Sequence, residues 1–294
     1  MQKHLLSLVS RKSAAAAIIA AATLTGSVTQ AAFIANFDGG NTTAHTFTSS
    51  SGSPPSIQNG GPSGNYARLT NLNGSNNNSI AFDEAVGQTG PAPGGLKMAF
   101  NFRLSTDQQN ADAGGCCGSA ADGIGVGLFS TAAYGATGGK NPTGADWERP
   151  KYANALTVGV DVFQNIDVLN LNWMGTELAA VDVKSVANLN DGKFHRVVVD
   201  VKPNGANALI DMHVIEDVMG ATIVRPVMSN VAAPGLNLAA LPSYRVIAGG
   251  RTGGAFAAGD IDNIYVDTVP VPEPASLALL GLGGLSLLGL RRRK

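Results

Sequence analysis

The stretch 155–175, ALTVGVDVFQNIDVLNLNWMG, decides how the rest of the chain is read. Leu156, Val158, Val160 and Val162 alternate along it, the period-two pattern of a half-buried β-strand. Continued past Val162, the opposite parity carries Asp161, Phe163, Asn165 and Asp167, which puts two carboxylates and an amide on one side of the strand end. Oxygen donors of this kind suit a hard cation such as calcium, which takes carboxylates, amide oxygens and backbone carbonyls. An EF-hand loop is excluded, because Phe163 occupies the third position and Ile166 stands where the sharp turn needs glycine. The plainer reading is a strand that ends in a polar loop, since loops are rich in Asp and Asn.

Strands of the same kind recur on both sides. Leu96, Met98, Phe100, Phe102 and Leu104 alternate with Lys97, Ala99, Asn101 and Arg103. Ile124, Val126 and Leu128 alternate with Gly123, Gly125 and Gly127, a glycine face to which some other segment must come close. Further strands are expected at AAFIANFDG, Tyr66–Asn71, Ser79–Asp83, KFHRVVVDV, ALIDMHVIED, Tyr244–Ala248 and Ile261–Asp267, while Asn41–Gly64, polar and rich in Ser, Gly and Pro, reads as a loop. Asn190-Asp191-Gly192 and Asn204-Gly205 supply hairpin turns. The segment 131–154 has no periodicity, and loops of that length are uncommon unless they serve a function. Trp147 and Tyr152 within it read as a hydrophobic anchor, with sugar stacking as the alternative. His195 alternates with Val197, Val199 and Val201, which makes it a buried, hydrogen-bonded structural residue. Short strands with Gly-rich turns and no long amphipathic helix indicate an all-β fold of two packed antiparallel sheets.

Composition narrows the function. With 14% charged residues and a net charge of -1, the chain has no basic stripe for nucleic acid. Residues 1–31 read as a secretory signal: Lys3, Arg11 and Lys12 are followed by an apolar run from Ala14 to Leu24 and a small-residue cleavage site at Thr29-Gln30-Ala31. Export places the adjacent Cys116 and Cys117 in an oxidising space, where a vicinal disulfide eased by flanking glycines, an intermolecular pair and two free thiols are all open. The domain proper is expected at 32–269, and 270–294 is a separate tail. In that tail Ala275–Leu290, sixteen apolar residues, are slightly short for a spanning helix but tolerable with bilayer thinning or snorkelling arginines. With Arg291, Arg292, Arg293 and Lys294 kept cytoplasmic, the plainer reading is a permanent membrane anchor.

Two resemblances sharpen these expectations. Asp161-x-Phe163-x-Asn165 resembles the V-E-F-D-T-[FY]-x-N signature of L-type (legume-type) lectins. Ala121-Asp122-Gly123 followed by IGVGLF is similar to the A-D-G-[LI]-x-F-F strand of those lectins, and Gly138-Gly139 lies between the two as their glycine loop does. DGKFHRVVVDV and GDIDNIYVDTV likewise resemble strands of laminin-G-like and concanavalin-like sandwiches. The resemblance implies a concanavalin-like jelly-roll sandwich that binds a glycan through Asp122, the Gly139 N–H and Asn165. Calcium would be held by Asp161, the Phe163 carbonyl, Asn165 and Asp167. Gly159 replaces the Glu of the pattern and Trp173 stands near the position of its His, so the transition metal of the family is not expected. Pro272-Glu273-Pro274, the apolar run and the basic end together resemble the PEP-CTERM sorting signal of Gram-negative bacteria. That implies transient anchoring in the inner membrane, removal of the tail by an exosortase-type enzyme, and delivery to the surface or into extracellular polysaccharide.

The expected function is therefore exported, lectin-like glycan binding. The alternative is a structural matrix protein with no working sugar site. A glycoside hydrolase needs two carboxyl groups flanking the bond. The chain has five glutamates, at 84, 148, 177, 216 and 273, and no E-x-D-x-x-E run, so the reading is a non-enzyme with hydrolase activity kept as the remote case.

Overall fold

A computed structural model describes residues 32–39, 44–86, 94–105, 120–142, 144 and 146–269. The expected signal segment, Cys116, Cys117 and the sorting tail with Pro272, Glu273 and Pro274 lie outside these residues. Fifteen strands account for most of the described chain: β1 (Phe33–Ala35), β2 (His45–Ser51), β3 (Ser56–Gly61), β4 (Gly64–Thr70), β5 (Asn77–Val86), β6 (Gly95–Ser105), β7 (Gly123–Ser130), β8 (Ala155–Asp161), β9 (Val168–Trp173), β10 (Thr176–Asp182), β11 (His195–Asn204), β12 (Asn207–Glu216), β13 (Ile223–Ala233), β14 (Tyr244–Arg251) and β15 (Ala258–Val269). The one α-helical segment among the described residues is a single turn, Thr131–Tyr134.

The strands form two antiparallel sheets. One runs β13-β12-β11-β6-β15-β4-β3, with β1 also on β15; the other runs β10-β9-β8-β7-β14-β5-β2. Their facing sides carry the alternating residues expected from the sequence. Met98, Phe100 and Phe102 of β6 meet Ile124 and Val126 of β7 and Val158 and Val160 of β8 in one buried core. At about 25 cal/mol per Å² of apolar surface removed from water, this inter-sheet core is the main favourable contribution to folding. His195 lies at its edge, buried beside Phe102, with Nε2 3.0 Å from Asp191 Oδ1.

Where the chain departs from expectation, the reason is local. Asn41–Gly64 was expected to be a loop, yet it contains β2 and β3. Both are outermost strands, and their Ser, Thr, Gln and Asn side chains give no apolar alternation to read. The segment 131–154 does act as an anchored cover. Trp147 and Tyr152 pack with Phe129, Ala81, Ala155 and Ile247 in a second, smaller core on the outer face of the seven-stranded sheet. Glycines make that possible, because a Cβ on Gly249 would run into the Trp147 indole and one on Gly125 into the Trp147 carbonyl. This is the close approach that the glycine face of β7 foretold.

Candidate functional site

Asp122 immediately precedes β7, and Asp161 ends β8. The pairing of Gly123 with Asp161 and of Gly123 with Arg251 brings the start of β7 and the ends of β8 and β14 to one rim of the seven-stranded sheet. The backbone locks them there: the Asp122 N–H donates to the Arg251 carbonyl (3.1 Å), and the Val162 N–H to the Asp122 carbonyl (3.0 Å). The Ala121-Asp122 peptide is cis. Two of the three segments expected to converge, those of Asp122 and of Asp161–Asn165, therefore do meet.

The third does not. Gly139 packs against the side chains of Thr46 and Thr48 on β2, three strand spacings from β7 and several residues along. With strands about 4.8 Å apart and about 3.3 Å per residue, Gly139 sits roughly 15–20 Å from Asp122, too far for one sugar ring to touch both. Its loop is pinned there. The Gly138 N–H donates to Asp83 (2.8 Å), Arg245 Nη2 donates to the Gly138 carbonyl (2.7 Å), and Ser79 Oγ donates to the Lys140 carbonyl (2.7 Å). The motif order in the sequence was correct, but the path between the motifs was not legible in it.

A second correction concerns the cation donors. The strand alternation stops at Asp161, because Phe163–Asn165 forms a one-turn 3-10 segment with Gln164 at positive φ, and β9 then runs back along β8. The Asp161 side chain faces the outer loop: Arg149 Nε donates to its Oδ2 at 2.7 Å, and the Phe163 N–H to its Oδ1 at 3.1 Å. Asp167 turns to the core side, where it accepts from the Leu189 N–H at 3.0 Å and has Lys184 Nζ 3.6 Å away. The two carboxylates thus point to opposite faces and each holds a cationic side chain of the protein. Among the described residues no three His, Cys, Asp or Glu side chains group as a metal site. The expected donor set of Asp161, the Phe163 carbonyl, Asn165 and Asp167 does not fit a calcium ion in this arrangement. Gly159, where the lectin pattern has Glu, is equally constrained, since any Cβ there would strike the Glu148 carbonyl and come within 2.6 Å of Pro150.

The rim instead contains residues that the sequence did not single out. Arg251, on β14, lies 3.2 Å from Asp122 Oδ2 and 2.8 Å from Glu148 Oε1, and also bonds Asp146. One guanidinium is shared by three carboxylates. Burial pushes the Asp122 carboxyl up, and Arg251 only partly offsets this. Burial also pushes Glu148 up to about 7, against the pull of Arg251 and with Asp122 and Asp146 adding repulsion. Glu148 Oε2 is buried with no hydrogen-bond partner. At the surface of the cluster Arg251 is 34% and Asp146 63% exposed, so donor and acceptor groups alternate at the solvent edge. The only hint in the sequence was that DWER lies in a long loop with an anchoring Trp; a salt bridge across about a hundred residues has no local signature.

Comparison with known proteins supports this architecture. Lectin II from Ulex europaeus matches with a TM-score of 0.51 at 11% identity, over 82% of this chain and 99% of that one. Peanut lectin, in complex with a 9mer peptide, matches with a TM-score of 0.50 at 16% identity, over the same shares of 82% and 99%. The exoplasmic/lumenal domain of VIP36 in a Ca2+/Man-bound form gives 0.46 at 15% identity, over 78% and 85%. No curated protein matches the sequence. Residues 270–294 match the PEP-CTERM protein-sorting motif. The protein thus combines a two-sheet β-sandwich like that of the legume lectins with a C-terminal PEP-CTERM sorting motif.

Proposed function

We propose that this is an exported glycan-binding protein of a Gram-negative bacterium, delivered to the cell surface or the exopolysaccharide matrix after exosortase-type processing of its tail. The observation that carries the binding half is the rim cluster at the sheet end, where Arg251 is flanked by Asp146, Glu148 and Asp122 on a lectin-like fold. Sugar hydroxyls both donate and accept, so a guanidinium set between carboxylates can discriminate their orientation. Asp122 is the floor of this site, Arg251 and Asp146 its solvent-facing edge, and Asn165 lies in the adjoining turn. Gly139, held over β2, is outside it. The tail supports the export half, because its PEP-CTERM motif belongs to a membrane-associated sorting route.

Retention on extracellular polysaccharide tests the binding half. Asp122→Ala and Arg251→Ala are each expected to lose retention, measured at a temperature where both variants are still folded, since removing Arg251 leaves the buried Asp122 and Glu148 carboxylates without their partner and lowers Tm. A second reading, a structural matrix protein with no sugar site, is favoured by the fact that each rim carboxylate already has an arginine partner. Retention unchanged in both variants would decide for it. Release of sugar from a glucan panel by the pure protein would instead reveal a hydrolase.

A further inference from the structure

The segment 146–150 carries more than the Trp147 anchor. It places Arg149 on Asp161 and Glu148 on Arg251, the two ion pairs that flank the junction of β7, β8 and β14. Asp161 has only 7% of its side chain exposed and Arg149 41%, so the guanidinium covers the carboxylate from the solvent side. Through its other oxygen Asp161 holds the Phe163 N–H, the first residue of the 3-10 turn that ends in Asn165. A single carboxylate therefore links the loop to the turn, and Arg149 neutralises it. Asp167, at the far end of the same turn, is held from the core side by the Leu189 N–H and approached by Lys184.

We propose that Arg149 does in this chain what a bound cation would otherwise have to do. It neutralises Asp161, closes the 146–150 loop onto the rim, and fixes the Phe163–Asn165 turn, so that the folded rim requires no metal. Three observations support this: the 2.7 Å Arg149–Asp161 pair, the inward turn of Asp167 away from it, and the exclusion of any side chain at Gly159 by the Glu148 carbonyl. Planar guanidinium groups suit this task, because they stay charged and match carboxylate geometry. The proposal concerns how the rim is held and does not depend on whether a glycan binds there.

The test uses the purified protein, calcium alone as probe, and melting as readout. For the wild type, equilibrium dialysis against millimolar calcium should show no stoichiometric uptake, and a chelator should leave Tm unchanged. A metal present at a hundredfold its Kd would raise Tm by roughly 5–10 °C, well outside the error of a melt. Arg149→Ala should lower Tm by about 3 °C or more, because it leaves a buried carboxylate uncompensated. Arg149→Lys should recover part of that loss. Uptake of one calcium per chain by the wild type, a chelator-induced fall in its Tm, or an Arg149→Ala protein that melts with the wild type would each overturn the proposal. If Arg149→Ala fails to fold, the wild-type dialysis and chelator melts still decide. Glycan retention enters none of these readouts, so failure of the binding reading cannot be mistaken for failure of this one.

Discussion

Replacing Glu148 with Gln should remove a pH dependence that the wild-type rim imposes on the whole fold. Burial raises the Glu148 carboxyl from its ordinary value of 4.5 to about 7, with Asp122 and Asp146 adding repulsion and Arg251 opposing it. The folded state then binds this proton more tightly than the unfolded chain does. Below about pH 4.5 both states carry it, and the protonated site contributes in full. As pH rises through 4.5 to 7 the unfolded chain releases the proton first, so stability falls, and the loss is complete above about pH 7. At about 1.4 kcal/mol per pH unit, the distance between the two values is worth about 3 kcal/mol. Gln has nearly the shape of Glu, can accept from Arg251 through its carbonyl, and never ionises. Glu148→Gln should therefore match the wild type at about pH 4.5 and exceed it by up to about 3 kcal/mol at about pH 8. Asp262, pushed up to about 6 by burial, gives a slope of the same sign in both proteins and cancels in the difference. Urea denaturation at a series of pH values measures it. A wild-type minus variant difference that stays flat with pH, or that moves in the wild type's favour as pH rises, would show that the Arg251 pair outweighs burial and that the reasoning is wrong.

Substitutions at two further positions probe other parts of the fold, beside the rim and Arg149 variants already described. Trp147→Ala should destabilise by about 3–5 kcal/mol, because the fully buried indole fills the space above Gly249 and packs edge-on to Tyr152 at 5.4 Å. A loss below about 1 kcal/mol in chemical denaturation would mean that the 146–150 loop is held without its anchor. On the outer face of the other sheet, the fully buried Asp260 is bonded by Arg68 at 2.8 Å and by Arg103 at 2.6 Å, and Arg103 also lies 4.9 Å from the Tyr66 ring centre. Asp260→Ala leaves two guanidiniums without their acceptor and should cost about 3–5 kcal/mol, with Asp260→Asn costing less; equal melting of the two variants would argue against an electrostatic cause.

The division between what could be read early and what could not follows the range of the interactions involved. The sandwich was legible because alternation is a property of neighbouring residues: β6, β7, β8 and β11 each announce their buried face within a few positions. The glycine face of β7 announced a close approach, and the Trp147 carbonyl, over Gly125, proved to be among the groups that make it. The edge strands β2 and β3 were missed because an outermost strand need not bury either face, so its polar side chains look like a loop.

By itself, then, the sequence determined the all-β class, the position of Asp122 at the head of a strand, the structural role of His195, and the sorting motif at the end of the chain. The tertiary structure alone decided that Asp161 and Asp167 face opposite ways, that the Gly139 loop lies over β2, and that Arg149 and Arg251 collect the rim carboxylates. The physical reason is one of range. Strand period and sorting motif are written in consecutive residues. A chain reversal such as that after Asp161 resets the period, and an ion pair across 103 residues, such as Arg251 with Glu148, exists only once distant strands have docked.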